Sequence, residues 1–352
     1  MNFNTESKSK NDILIVDDSI VIKNHTHRLV KAIAGVGNIY LASNGQEAIN
    51  VLQENPSINI IILDIQMPIM DGMVALPRLL KINPKAKIII SSTLSVKGAE
   101  ITLQALALGA CEYITKPSPA VFQFSIEDFE RELTQKVVGL LIKETPTKNA
   151  LPSRSVPARS ALPLFPQALV IGSSTGGPAA LLSILTGLNQ IKIPIFIVQH
   201  MPPIFTALLA ENIQKSSGIK TVEVIECQPL TENCIYLAAG GYHLEVSSKN
   251  AQVSLEVNTN PPQNFCRPSV TPLFSSAAKV YKNRLLGCML TGIGNDGLDG
   301  ARDIIDAGGG MVVQDEASSI VWGMPRAVYE AGLATQVMSL SNIKELIHKI
   351  TK

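Results

Sequence analysis

The stretch ALVIGSSTGGPAALLSIL, residues 168–185, joins a short apolar run to a glycine-rich turn and then to leucines and isoleucines with helical spacing. Residues 169–171 predict a buried strand, and Pro178 fits the first turn of a helix, where its missing N–H removes no hydrogen bond. The turn therefore lies between a strand end and a helix N-terminus. Such a place can stabilise either a bound phosphate or the oxyanion of an acyl transfer, and the stretch alone leaves both open.

The same alternation of apolar runs and helical spacing continues on both sides of this stretch. Alternating strands and helices predict parallel sheets covered by helices on both faces, so the expected fold class is α/β, with two doubly wound parallel-sheet domains. Residues 220–265 alternate apolar and polar residues and predict hairpins added to the second domain. The predicted strands are 13–16, 60–63, 87–90, 168–171, 194–199, 285–290 and 310–314, and the predicted helical stretches are 48–54, 73–82, 99–108, 304–307 and 342–350.

The 352 residues are enough for two domains at roughly 100–200 residues each. A segment rich in proline, serine and threonine, residues 143–166, has no periodic apolar spacing and predicts a linker. The expected organisation is therefore one domain over residues 1–142, this linker, and a second domain over residues 167–352.

Bulk composition excludes several classes of protein. A formal net charge of +1 provides no global basic field for nucleic acid or anionic lipid. No apolar run reaches the ~20 residues of a membrane helix, and the first residues lack the apolar core of a signal peptide, so we expect a cytoplasmic protein without membrane insertion. The five cysteines show no C-x-x-C spacing, which favours reduced thiols over a disulfide framework or zinc site.

Polar residues follow three of the predicted strands of the first domain. Asp17 and Asp18 follow the first, Asp64 the second, and Ser92 the third, while Lys116 follows a further apolar pair. Strand ends meet at one sheet edge, where three carboxylates would repel one another unless a hard cation such as Mg²⁺ shared them. A carboxylate activated in this way can accept a phosphoryl group, which the hydroxyl and the ammonium would hold. A single aspartate after a strand is more often a helix cap, but the combination favours a site.

The motifs ILIVDDS, ILDIQMPIMDG and YITKP resemble the receiver domain of two-component response regulators, over roughly residues 11–140. The resemblance implies a flavodoxin-like domain in which Asp64 accepts phosphate from a histidine kinase. It also implies that Asp17 and Asp18 form the acidic pair and that the backbone carbonyl of Gln66 completes the Mg²⁺ shell. Ser92 is expected as the switch hydroxyl, with the adjacent Ser91 as the alternative.

The opening turn satisfies G-x-S-x-G, a pattern that presents a serine hydroxyl above a sheet. A phosphate loop would need G-x-G-x-x-G or a Gly-Lys-Ser/Thr ending, and neither is present. A serine nucleophile needs a base and a group that orients it. His200 follows the predicted strand 194–199, and Asp296 lies in a glycine-rich loop after strand 285–290. Asp299 is the alternative orienting group, or a simple helix cap.

The motifs IGSSTGGP, QHMPP, RPSVTPLF, LTGIGNDG and EASSIVWGMPRAV are together similar to the catalytic domain of chemotaxis response-regulator protein-glutamate methylesterases. The resemblance implies a Rossmann-like domain with Ser174 as nucleophile, His200 as base and Asp296 as its orienting partner. It also implies that Thr175 helps to position the imidazole. Thr271 stands where the family more usually has aspartate.

The implied function is phosphorylation-activated hydrolysis of glutamate γ-methyl esters, and deamidation of glutamines, on the cytoplasmic helices of methylated chemoreceptors. Mg²⁺ would serve receiver phosphorylation, and the ester chemistry would need no cofactor. Two alternatives remain: another receiver-gated serine hydrolase, and a non-catalytic two-component regulator. The near-zero net charge and the complete set of serine, histidine and aspartate count against the second.

Overall fold

The computed structural model describes residues 11–93, 95–117, 125–141, 162–250 and 252–352. The chain divides into two compact units, Met1–Glu144 and Thr145–Lys352. Most of the predicted linker lies outside the described residues, and only its last five residues are described.

In the first unit, parallel strands alternate with helices. Its five-stranded sheet has the order β2-β1-β3-β4-β5. Isoleucines of the central strands are buried among helix side chains, as expected for a sheet covered on both faces. The elements are β1 Asn11–Val16, α1 Ile20–Lys31, β2 Val36–Ala42, α2 Gly45–Glu54, β3 Ile58–Asp64, α3 Gly72–Ile82, β4 Lys87–Thr93, α4 Val96–Ala107, β5 Glu112–Lys116 and α5 Ile126–Leu141.

Side-chain caps set where the helices of the first unit begin. Ser19, Asn44, Asp71 and Ser95 each accept a hydrogen bond from a backbone N–H in the first turn of the following helix. Such caps satisfy donors that have no partner inside the helix. The chain therefore passes from β1 and from β2 into the following helix through a short polar loop.

The second unit contains a seven-stranded parallel sheet of order β15-β14-β13-β6-β7-β10-β8 and a separate three-stranded sheet of order β11-β12-β9. Its largest buried side chains include Phe196, Tyr236 and Phe274. The elements are β6 Ala168–Ser173, α6 Gly177–Leu185, β7 Ile195–Gln199, α7 Phe205–Ser217, β8 Lys220–Val224, β9 Gln228–Pro229, β10 Cys234–Ala238, β11 His243–Lys249, β12 Gln252–Asn258, α8 Val270–Tyr281, a 3₁₀ turn Lys282–Arg284, β13 Leu285–Met289, α9 Leu298–Asp306, β14 Gly310–Gln314, α10 Met324–Glu330, β15 Gln336–Met338 and α11 Leu340–Ile350.

The predicted α/β class with two parallel sheets is confirmed. The prediction for residues 220–265 is confirmed only in part, because β11 and β12 form an antiparallel hairpin, whereas β8 and β10 extend the parallel sheet. All five residues of β10 are buried. A strand covered on both faces has a continuous apolar sequence, so β10 lacks the alternation that identifies a hairpin strand.

Strand β6 marks the point at which the sheet reverses its order. The chain passes from β6 to β7 on one side, and β13 pairs with β6 on the other side. In such sheets ligands bind outside the carboxyl ends of the strands at this reversal. The loops after β6, β7 and β13 therefore share the expected ligand edge. Of the helices described, none combines the length and apolar composition that a bilayer span requires.

Candidate active site and phosphorylation site

The serine-containing turn is held by hydrogen bonds on both sides of β6. Ser173 is fully buried, and its Oγ donates to Gln199 Oε1 at 2.7 Å. Ser174 is half-buried, and its backbone N–H donates to the carbonyl of Thr291 at 3.0 Å. Gly176 then adopts a φ of +76°, a conformation that favours glycine, just before α6 begins. The turn thus fixes Ser174 between the end of β6 and the helix.

The loop after β13 packs directly against this turn. A Cβ atom at Gly292 would lie 2.8 Å from Ser174 Cβ and 3.1 Å from its backbone nitrogen, so only glycine permits the observed approach. Thr291 Oγ1 also donates to the carbonyl of the buried Thr175 at 2.8 Å. The same loop carries Asp296 four residues beyond Gly292. Ser174 and Asp296 therefore belong to loops that touch.

His200 links the serine turn to Asp296. Its backbone N–H donates to the Ser173 carbonyl at 3.1 Å, and its Nε2 lies 2.7 Å from Asp296 Oδ2. Its other ring nitrogen, Nδ1, lies 3.5 Å from Cys266 Sγ. The Ser173 carbonyl, His200 and Asp296 are thus joined in one network beside Ser174, an arrangement consistent with a Ser–His–Asp triad. Among the described residues, no hydrogen bond joins Ser174 Oγ to the imidazole.

Asp296 is a buried carboxylate surrounded by donors. The donors to it other than His200 are Ser269 Oγ at 2.7 Å, the Val270 N–H at 2.7 Å, the Gly297 N–H at 2.8 Å, Thr271 Oγ1 at 3.1 Å and Asn264 Nδ2 at 3.3 Å. Burial alone would raise the pKa of Asp296, but the hydrogen bonds from His200, Val270 and Ser269 and the charge of His200 lower it well below its usual value. Asp296 therefore stays ionised and holds the imidazole in one orientation.

Burial and neighbours act in opposite directions on His200. Burial lowers the pKa of the imidazole, but Cys266 and the charge and hydrogen bond of Asp296 raise it more, so the pKa lies above its usual value of 6.5. A carboxylate next to a histidine favours the protonated ring. The ring must lose a proton before it can accept one, so this pair sets a pH requirement on any base function of His200.

In the first unit, the predicted acidic residues meet at the carboxyl edge of the sheet. Carboxylate oxygens of Asp17, Asp18 and Asp64 lie within 4.8 Å of one another, with Asp17 and Asp64 buried and Asp18 exposed. Lys116 Nζ lies 2.8 Å from both Asp17 Oδ2 and Asp64 Oδ2. Burial raises the pKa of Asp64, although Lys116 opposes the rise. Three oxygen ligands of this kind suit a hard cation, and this acidic pocket is typical of a Mg²⁺ site.

A pocket beside Asp64 brings the other predicted receiver residues together. It is lined in part by Gln66, Ser91 and Ser92. Ser92 Oγ donates to the carbonyl of Gly98 at 3.2 Å, and the Gln66 N–H lies 3.4 Å from Asp64 Oδ1. Both serines are buried, so the choice of Ser92 as the switch hydroxyl stays a prediction.

Several residues of the second site were not singled out from the sequence. Asn264, Cys266 and Ser269 touch the His–Asp pair, and Gln199 Nε2 donates to the carbonyls of Ser174 and His200. The motif RPSVTPLF marked part of this segment without indicating a role. Asp299, the alternative orienting group, is exposed in the first turn of α9, whereas Asp296 contacts His200.

Together, a receiver-type acidic pocket and a serine turn beside a buried His–Asp pair define a serine hydrolase with an attached receiver. The CheB methylesterase family matches residues 169–347, and the response regulator receiver domain matches residues 13–122. A protein-glutamate methylesterase/protein-glutamine glutaminase of Paramagnetospirillum magneticum is 38% identical over 96% of this chain and 95% of its own. One from Azospirillum brasilense is also 38% identical, over 96% of this chain and 92% of its own.

Similarity to a solved structure covers the second unit. The crystal structure of the Thermotoga maritima CheB methylesterase catalytic domain is 33% identical and covers 53% of this chain and 100% of its own, with a TM-score of 0.51. The chain belongs to the CheB methylesterase family, as a protein-glutamate methylesterase/protein-glutamine glutaminase with an N-terminal receiver domain.

Proposed function

We propose that this enzyme removes γ-methyl esters from glutamates, and deamidates glutamines, on the cytoplasmic helices of methylated chemoreceptors during chemotactic adaptation. Phosphorylation of Asp64 by a histidine kinase activates it. The observation that supports the chemistry most directly is the 2.7 Å contact between His200 Nε2 and Asp296 Oδ2, beside the turn that carries Ser174. The CheB family match supports the substrate class.

Ser174 is the nucleophile in this proposal, and Ser173 is a structural neighbour. Ser173 Oγ is buried and donates to Gln199 Oε1, whereas Ser174 is half-buried and follows the strand end directly. A nucleophile must be reachable by a protein-sized substrate. Catalytic hydrogen bonds are often long in the free enzyme and tighten when substrate binds, so the Ser174–His200 contact forms in the complex.

The reaction follows from these placements. Ser174 Oγ attacks the ester carbonyl while His200 Nδ1 takes its proton, since Nε2 is committed to Asp296. The imidazolium then protonates the departing methoxide, and methanol leaves. Water, deprotonated by the same nitrogen, hydrolyses the glutamyl-enzyme. The positive N-terminus of α6 lies next to the serine turn and stabilises the oxyanion. The family resemblance adds Thr175 as a residue that helps to position the imidazole.

Asp17, Asp18 and Asp64, with the backbone carbonyl of Gln66, would hold Mg²⁺ in the receiver. The three carboxylates fit such an ion because they offer the oxygen ligands that Mg²⁺ prefers. The buried Lys116 lies beside Asp64, where its ammonium group can meet a phosphoryl group. When bound there, Mg²⁺ would offset the negative charge of the phosphoryl group. Lys116 and Ser92 then bind the phosphoryl oxygens.

Methanol release from methylated receptor membranes tests the proposal. We expect the full chain to release methanol and acetyl phosphate with Mg²⁺ to raise the initial rate by about 5–150-fold, the usual range of allosteric coupling. The matched control is the same membranes with unmethylated receptors. Hydrolysis of small esters without release from receptors would instead identify another receiver-gated hydrolase.

The pH profile should report the His200–Asp296 pair. Only the neutral imidazole accepts a proton, and its pKa lies above 6.5, so we expect kcat/KM to rise with pH through a midpoint above 6.5. Cys266 and Asp296 both raise this pKa, so Asp296→Asn removes one of the two causes and should shift the midpoint to lower pH, with partial loss of rate. Initial rates between roughly pH 5 and pH 11 measure both effects, because this range spans the usual histidine pKa of about 6.5 and the raised pKa of about 10 for His200. An unchanged midpoint in Asp296→Asn would exclude this coupling.

A further inference from the structure

Residues 263–266 form a tight turn beside the catalytic pair. The Gln263 N–H donates to the Cys266 carbonyl at 3.1 Å, and the Cys266 N–H donates to the Gln263 carbonyl at 2.8 Å. The two central residues, Asn264 and Phe265, have φ values of +50° and +62°. Two positive φ values in a two-residue hairpin define a type I′ turn, for which Asn-Gly is the preferred pair. Here phenylalanine occupies the position that favours glycine.

Phe265 is unfavourable for the turn itself. Left-handed backbone brings a Cβ atom close to the following carbonyl, whereas glycine adopts this conformation freely. The residue is also 84% exposed, so burial of its ring within the chain does not offset the strain. Strained residues of this kind cluster at ligand-binding sites. The turn therefore holds an exposed aromatic ring at the expense of local stability.

The turn places this ring at the rim of the catalytic site. On one side of Phe265, Asn264 Nδ2 lies 3.3 Å from Asp296 Oδ1. On the other side, Cys266 Sγ lies 3.5 Å from His200 Nδ1. Both chain neighbours of Phe265 thus contact the His–Asp pair, which places the exposed ring one residue away from groups that touch the catalytic site.

We propose that Phe265 is a specificity-determining residue that packs against apolar side chains flanking the methyl-esterified glutamate on the substrate helix. This inference rests on the proposed function and names how the same site recognises its substrate. Aromatic side chains at interfaces bury a large area at low entropic cost, and a single one often dominates binding. The residues on both sides of the ring contact the His–Asp pair, so a substrate bound at that pair is the occupant that the ring would meet.

The test compares Phe265→Gly with the parent chain under saturating acetyl phosphate. Removing an anchoring aromatic should lower kcat/KM on methylated receptor membranes by about tenfold, through KM rather than kcat. The melting temperature should stay the same or rise, because glycine suits the turn. The rate at which a small fluorophosphonate labels Ser174 should stay unchanged. Phe265→Tyr should restore kcat/KM.

Phe165 provides the matched control. It is 85% exposed and precedes β6, so it lies towards the amino end of the strand whose carboxyl end carries the site. Phe165→Ala should leave kcat/KM on receptor membranes unchanged.

An equal kcat/KM for Phe265→Gly and parent would overturn the inference, and so would a parallel fall in fluorophosphonate labelling. A rise in the activity of unphosphorylated Phe265→Gly would also overturn it, by indicating that the ring contacts the receiver. A parent chain that labels normally but releases no methanol would instead reject the proposed function.

Discussion

Ser174→Ala should lower methyl-ester hydrolysis by about 10⁴-fold or more while the protein stays folded, since loss of one member of a catalytic triad removes most of its rate acceleration. The residue is half-buried, and its backbone bond to Thr291 does not depend on the side chain. The variant should therefore retain the melting temperature of the parent. Methanol release and thermal unfolding, measured on the same preparation, check both expectations.

Ser173→Ala is the matched control because it removes the adjacent hydroxyl. Ser173 Oγ donates to Gln199 Oε1, and Gln199 Nε2 in turn holds the carbonyls of Ser174 and His200. Leaving this buried amide without its partner should lower the free energy of unfolding by about 1–3 kcal/mol. Activity should fall far less than in Ser174→Ala. If Ser173→Ala is the inactive variant and Ser174→Ala retains turnover, the nucleophile is Ser173.

The fold could be predicted from the sequence where strands are buried on both faces. Residues 60–63 and 285–290 are continuous apolar runs, and the structure has β3 and β13 there. The strands at the outer positions of the sheets give a weaker signal, because they are partly exposed. Strand β2 has mostly half-buried residues, and β15 has only three residues, so neither had a distinct apolar run. Strand β10 was obscured by the alternating segments around it.

The site could be predicted only where its residues follow strands. Asp17, Asp64 and His200 lie at or just after strand ends, and Asp296 lies in the loop that follows β13; the structure brings Asp17 and Asp64 together, and likewise His200 and Asp296. Asn264 contacts Asp296 from a turn outside the parallel sheet. A turn has no apolar periodicity from which the direction of its side chains could be predicted. Sequence spacing also cannot show which imidazole nitrogen meets Asp296. These features depend on tertiary packing of loops.

Thr271 stands where the family more usually has aspartate, and the structure shows what its hydroxyl contacts. Its Oγ1 donates to Asp296 Oδ1 at 3.1 Å and accepts from the Gly297 N–H at 3.0 Å. A carboxylate at this position would stand beside Asp296 and repel it. The threonine hydroxyl therefore makes hydrogen bonds to Asp296 and Gly297 without placing a second negative charge beside Asp296. The residue at position 271 thus acts on the carboxylate that orients His200.

Asp64→Asn should abolish the response to acetyl phosphate while leaving the basal methanol-release rate. The amide cannot accept a phosphoryl group, but it preserves side-chain volume next to Lys116. The ratio of rates with and without acetyl phosphate should fall from about 5–150 in the parent to about 1. Asp12→Asn is the control, since Asp12 lies near the start of β1, away from the acidic pocket, and should retain the full response.

A fragment of residues 162–352 distinguishes two possible roles of the receiver, which are to inhibit the esterase or to deliver the enzyme to its substrate. The fragment retains the seven-stranded sheet, and it also retains Pro163, which packs against Gly310. If the unphosphorylated receiver restrains the esterase, removing it acts in the same direction as phosphorylation, so the fragment should exceed the unphosphorylated full chain in initial rate. Acetyl phosphate should not change the fragment. A fragment slower than the unphosphorylated chain on the same receptor membranes would show that the receiver delivers the enzyme to its substrate instead of inhibiting it.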